Sequence, residues 1–217
     1  MNPSDLPVHS TPTGKLELRW LIRWLREDHL ITTEDAERIK KRFGSADSKQ
    51  HPLVRLGAAG LTRRGSAKPL DTEALTEWLA SRCGLPYLHI DPLKVDVGRV
   101  SDVMSISYAE RRHALPLTVG THEVTIATCE PFDTGWVSEI EAHTRRAIKL
   151  VLVSPLELQR YTTEFYTLSK SVRAAIKTGE TSTLASFEQL VELGRSTKQL
   201  DANDQGVVQV VDWLWQY

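Results

Sequence analysis

The residue most able to do chemistry is Cys129. In "VTIATCEPFD" its thiol sits just past a strand-like apolar run, ahead of Glu130 and Pro131. His113 and His122 are close in sequence, so a thiol–imidazole pair for nucleophilic catalysis is one reading. A packed, inert thiol at a strand end is the other, and it is the expectation, because free cysteine is among the most buried residue types. The seven histidines (His9, His29, His51, His89, His113, His122 and His143) show neither H-x-x-x-H nor H-E-x-x-H spacing. Cys83 and Cys129 have no partner at metal-ligand spacing. No G-x-x-x-x-G-K-[ST] loop and no G-x-S-x-G elbow occurs, and Glu139 and Glu141 read as the solvated face of a helix. The expectation is therefore a chain with no catalytic residue and no metal site.

The balance of charge excludes other classes. Net charge is −1, with 41% hydrophobic and 25% charged residues, which is ordinary for a globular protein and supplies no global field for nucleic acid. Basic pairs such as Lys40-Lys41 and Arg63-Arg64 are dispersed and read as solvated faces. No apolar run reaches the ~20 residues that span a bilayer; "LRWLIRWL" comes nearest, and Arg19 and Arg23 interrupt it.

Hydrophobic periodicity then places the elements. Residues 1–14 read as a disordered tail. A helix from Lys15 carries Leu18, Leu21, Ile22 and Leu25, and Thr32 with Asp35 resembles a capping box opening a second. A short helix is expected in "HPLVRLGAAGL", and Asp71 caps another that Gly84 ends. After Gly84 come a strand at "YLHI", a helix at "SISYAERRHA", and a hairpin of "ALPLTV" and "EVTIAT". A helix capped by Asp133 follows, then a strand at "AIKLVLV" in a central position, and a helix started by Ser154-Pro155 with Leu158, Tyr161, Phe165 and Leu168 on one side. The predicted fold class is α+β. A small N-terminal helical subdomain (15–83) precedes a compact α/β domain (84–176), with a β-hairpin and a mixed sheet flanked by helices. Residues 177–206 read as a flexible linker. The apolar run at 207–217 reads as the start of a further domain.

Three stretches, "LASRCGLPYLHIDPLKVD", "RRHALPLTVGTHEVTIATCEPFD" and "LVLVSPLELQRYTTEFY", resemble the N-terminal domain of type II secretion and type IV pilus assembly ATPases. The features carrying the resemblance are Gly84-Leu85-Pro86, Leu115-Pro116-Leu117, Ala127 to Asp133, and Phe165-Tyr166. It implies a non-catalytic docking and regulatory module that tethers a hexameric motor to the cytoplasmic part of an inner-membrane assembly platform. Its partners would be that platform protein and the chain's own ATPase domains, not nucleic acid. Location would be cytoplasmic, peripheral to the inner membrane through partners and without insertion. ATP and Mg would belong to an ATPase core following residue 217.

In some members of this family the N-terminal region, the MshE-type domain, binds cyclic di-GMP through two copies of a motif opening Arg-Leu-Gly. The first copy here has Trp20 in place of Arg, His29 in place of Gly and Phe43 in place of Gln. The second keeps Arg55, Leu56 and Gly57, with Arg82 in place of Gln and about four extra residues between its halves. The resemblance therefore implies cyclic di-GMP as a possible ligand, held by Arg55, Leu56 and Gly57 with Arg19 or Arg23 supplying the missing first Arg. Trp20, Trp24 and Trp136 are the candidates for a partner interface.

Overall fold

The computed structural model describes residues 12–43 and 48–177. The polar tail expectation falls mostly outside them, and the linker and terminal apolar run almost wholly so. The described chain up to Val172 forms one unit.

Its first half is helical. Helix α1 (Leu18–Glu27) buries Leu21, Ile22, Trp24 and Leu25. It ends in a Schellman turn, in which Leu30 N–H donates to the Leu25 carbonyl at 2.8 Å and His29 N–H to that of Arg26 at 3.0 Å. His29 thereby takes a left-handed conformation, φ 57°, at the position where the motif has Gly. A non-glycine residue there costs roughly 1 kcal/mol. His29→Gly is expected to raise stability by about 0.5 to 1 kcal/mol, read as a higher urea midpoint with unchanged slope.

Helix α2 (Thr33–Phe43) starts at the capping box read from the sequence. Asp35 N–H donates to Thr32 Oγ1 at 3.0 Å, and Thr32 N–H to Asp35 Oδ2 at 3.1 Å. Helix α3 (Pro52–Gly57) is capped by His51, whose Nδ1 accepts the Leu53 N–H at 3.2 Å. Helix α4 (Thr72–Cys83) is capped by Asp71, which accepts the Ala74 N–H at 2.8 Å, and closed by left-handed Gly84. Leu21, Leu25, Ile39, Leu53, Leu56, Leu75 and Leu79 fill the core between these helices.

The second half is built on a three-stranded mixed sheet. Strand β1 (Ala114–Val119) runs antiparallel to β2 (Glu123–Thr128), and β2 runs parallel to β3 (Ala147–Leu152). The strand order is β1-β2-β3, so the expected central position of "AIKLVLV" is corrected: β2 is central and β3 is an edge. Pro116, which lacks an N–H, is tolerated on edge strand β1 beside a break in register at Leu117. The strand expected at "YLHI" is reduced to one bridge from Tyr87 to Leu152. Ile148 N–H, which would otherwise be an open edge donor, is taken up by Glu141 Oε1 at 3.2 Å.

Helices α5 (Val97–Val103), α6 (Ile106–Arg112), α7 (Val137–Thr144) and α8 (Pro155–Lys177) complete this half. Asp133 does not cap α7; it pairs with Arg112 at 3.7 Å, and α7 starts four residues later with no side-chain cap. On α8, Leu158, Tyr161, Phe165 and Tyr166 are buried, whereas Leu168 is exposed. The inward face is thus rotated from the one read off the sequence.

Strand alternation joins the two cores. Val151 and Val153 enter the sheet-and-helix core, while Leu152 between them is fully buried in the helical one.

Candidate functional site

Arg55, Leu56 and Gly57 each have a structural task. The last carbonyls of α2 have no partner within the helix. The Arg55 guanidinium donates to the last of them, that of Phe43, and lies 5.4 Å from the centre of the Phe43 ring. Arg55 is itself 9% exposed, an uncommon degree of burial for arginine. Leu56 is fully buried among the helices. Gly57 lies where α3 approaches the start of α4: a methyl group there would be 2.6 Å from the Thr72 backbone nitrogen and 3.1 Å from its Cα. Because backbone cannot yield as a side-chain tip can, Gly57→Ala is expected to cost about 2 kcal/mol. Urea unfolding without any ligand reads this directly.

Arg19 and Arg23 sit on the exposed face of α1, on either side of Trp20. Their guanidinium carbons lie 5.6 Å and 4.8 Å from that ring. Each also meets a carboxylate, Arg19 with Glu17 at 2.6 Å and Arg23 with Glu27 at 3.2 Å. Among the described residues, no hydrogen bond, ion pair or ring contact joins either arginine to Arg55. Around Phe43 an open cleft of about 290 Å³ is lined by Arg38, Ile39, Arg42, Ala59 and Gly60. Arg42 lies over the Phe43 ring at 5.0 Å.

The three tryptophans have different fates. Trp136 is 1% exposed inside the sheet-and-helix core, so it is corrected from surface to core. Trp24 is buried, against Phe132 at 5.6 Å and under Arg82 at 5.2 Å. Trp20 is half-buried and packs tilted against Trp24, with ring centres 6.1 Å apart. Arg82, standing where the motif has Gln, ties α4 to the end of α1 through Glu27 and Asp28, and Trp78 Nε1 donates to Asp28 at 2.8 Å. The result is an ordered aromatic surface in which stacked cations hold the rings.

The Cys129 thiol is buried, which pushes its titration well above the ordinary thiol range. A thiolate nucleophile is disfavoured there, and packing accounts for the residue. Burial likewise raises Cys83, to about 11. The polar group that matters at this strand end is the neighbouring Glu130, which sequence reading passed over. It is 3% exposed; its Oε2 accepts the Leu16 N–H at 2.6 Å, and its Oε1 faces His51 Nε2 at 3.4 Å. Gly14 N–H donates to the Phe132 carbonyl at 3.1 Å. Residues 14–16 and the cap of α3 are thereby fastened to the turn after β2. His113 lies across from His51, with ring centres 6.4 Å apart. Desolvation first, and the Lys15 charge second, lower its pKa below the ordinary 6.5. A carboxylate inside "IATCEPF" was the available signal, since an acid next to a buried strand end needs a partner.

Residues 83–172 match the MshEN domain. Over 207 residues the chain is 35% identical to the type IV pilus assembly ATPase TfpB of Acinetobacter baylyi. The aligned part is 94% of this chain and 35% of that protein, so the chain spans about a third of its relative. Among solved structures, one of MshE with cdg is 18% identical with a TM-score of 0.48, covering 67% of this chain and 98% of that one. The N-terminal domain of XpsE is 16% identical with a TM-score of 0.45, covering 71% and 99%. The matched stretch begins at Cys83, where α4 ends, and closes on α8. It thus contains the whole sheet and the core around Trp136, while the residues of the Arg-Leu-Gly motif lie before it.

Proposed function

We propose that the chain is a non-catalytic docking and regulatory domain of a secretion or type IV pilus assembly ATPase. Its task would be to tether a hexameric motor to the cytoplasmic part of the inner-membrane assembly platform. The observation that carries this is the MshEN match joined to 35% identity with a pilus assembly ATPase of which the chain spans about a third. What supports it in the geometry is the half-buried Trp20 between Arg19 and Arg23, an aromatic contact area on the surface of α1. Residues 177–206 serve as the tether, holding the platform at high effective concentration while the motor moves. ATP and Mg act in the motor core of the parent. No helix among the described residues is long and apolar enough to cross a membrane, and the association is peripheral, through partners.

The immobilised cytoplasmic domain of the platform protein should retain the purified chain. Trp20→Ala should weaken retention about tenfold or more, the loss expected of an aromatic anchor, in a chain that remains folded by circular dichroism. Absence of retention at high micromolar chain overturns the proposal. A second reading, a cyclic di-GMP sensor, would have to be built on Arg38 and Arg42 around Phe43 rather than on Arg55. We infer that the Arg-Leu-Gly residues of this chain serve packing and bind no nucleotide.

A further inference from the structure

Residues 61–70 leave the helical core and return to it as one rigid excursion. Leu61 and Leu70 are buried at its base, and Leu70 N–H donates to the Leu61 carbonyl at 2.8 Å. Above them Thr62 bridges Pro69, and Arg63 N–H donates to the Lys68 carbonyl at 2.9 Å. A turn tightened by Ser66 N–H on the Arg63 carbonyl closes the tip, and Arg64 N–H on the Leu30 carbonyl at 2.9 Å braces it against the α1–α2 connection. Every residue from 62 to 69 is exposed, so the excursion presents its side chains to solvent.

Its charge differs from that of the neighbouring helices. On α1 and α2 several cations have an acid within one turn, Arg23 with Glu27, Arg38 with Asp35 and Lys40 with Glu37. The excursion holds Arg63, Arg64 and Lys68 and no acid. Among the described residues, none of these three makes an ion pair. Gly65, Ser66 and Ala67 between them are too small to hold the cations away from a surface. An exposed turn carrying three point charges and no acid fits a flat, laterally mobile anionic surface by charge complementarity.

We infer that this excursion is an electrostatic foot that rests on an anionic lipid surface. It adds a direct membrane contact to the docking role and is independent of it, since platform binding and vesicle binding can each fail alone. The contact is purely electrostatic, because the tip carries no large apolar side chain to insert. Co-sedimentation of the 217-residue chain with vesicles of phosphatidylglycerol and phosphatidylethanolamine, against phosphatidylcholine alone, tests it. At low salt the anionic vesicles should bind about a hundredfold more strongly, with each single Arg63→Ala, Arg64→Ala or Lys68→Ala change costing roughly fivefold. The triple variant should fall to the phosphatidylcholine level while keeping its circular dichroism and melting curve. Added salt should remove the preference, as screening requires. Equal binding to both vesicles, or a triple variant that still prefers the anionic ones, overturns the inference. Tighter binding to duplex DNA than to anionic vesicles at the same salt also overturns it and reassigns the foot to nucleic acid.

Discussion

Trp136→Ala should lower the unfolding free energy by about 4 kcal/mol. The indole, at the start of α7, is fully buried with Ile140, Val151 and Phe165 in the same core, so truncation leaves a cavity its neighbours cannot close. A loss of that size takes much of the ~5–15 kcal/mol available to a domain, and urea unfolding should show a strongly reduced midpoint. The paired variant separates volume from polarity. Trp136 Nε1 is buried without a hydrogen-bond partner, so Trp136→Phe removes an uncompensated donor along with part of the ring. Its cost should be about 1 kcal/mol. Equal losses in both variants would mean that the indole N–H is satisfied and that the core is not organised by volume.

The second large effect is expected at Glu130. Glu130→Ala leaves the buried Leu16 N–H without its acceptor and His51 Nε2 facing an empty space, for a total cost of about 3 kcal/mol. Glu130→Gln keeps an acceptor for Leu16 and should recover about half of that. The readout is local as well as global. The Leu16 amide, protected from exchange in the native chain, should exchange much faster in the alanine variant, because residues 14–16 lose one of the two hydrogen bonds that hold them. The same junction sets an acid limit. With the His113 pKa lowered in the folded state, the unfolded chain binds a proton more readily, so this group's contribution to stability falls as pH drops below the ordinary 6.5. His113→Gln should flatten that part of the stability–pH curve.

What was legible in the sequence was local. Thr32 with Asp35, Asp71 with Ala74, and Gly84 act within one helical turn, and the structure has each of them in place. The hairpin was legible because both strands and the turn lie within fifteen residues. Sheet order was not: Ile148, Leu150, Val151 and Leu152 make β3 apolar, yet that density arises because the strand feeds two cores, not because it is central. Helix α5 was missed because "VGRVSDV" combines a glycine with three β-branched residues and forms no side-chain cap; it is held by contacts distant in sequence, the burial of Val100 and Val103, Arg99 on the Val119 carbonyl and Ser101 with Ser169. Asp133 was misread as a cap because its partner, Arg112, is distant in sequence. At the candidate site, the Arg-Leu-Gly triplet was visible, but its use was not. A motif that holds a ligand and a motif that packs α3 against α2 and α4 have the same letters. The packing use shows only in the Phe43 carbonyl on Arg55 and the Thr72 backbone beside Gly57, and both lie more than ten residues away.

Titration of the purified 217-residue chain with cyclic di-GMP by calorimetry goes to the centre of this account. If Arg55 and Gly57 are structural, no binding heat appears up to high micromolar ligand, while Gly57→Ala still lowers the urea midpoint. Saturable heat that Arg55→Ala abolishes in a variant that remains folded would show that the triplet holds a nucleotide after all.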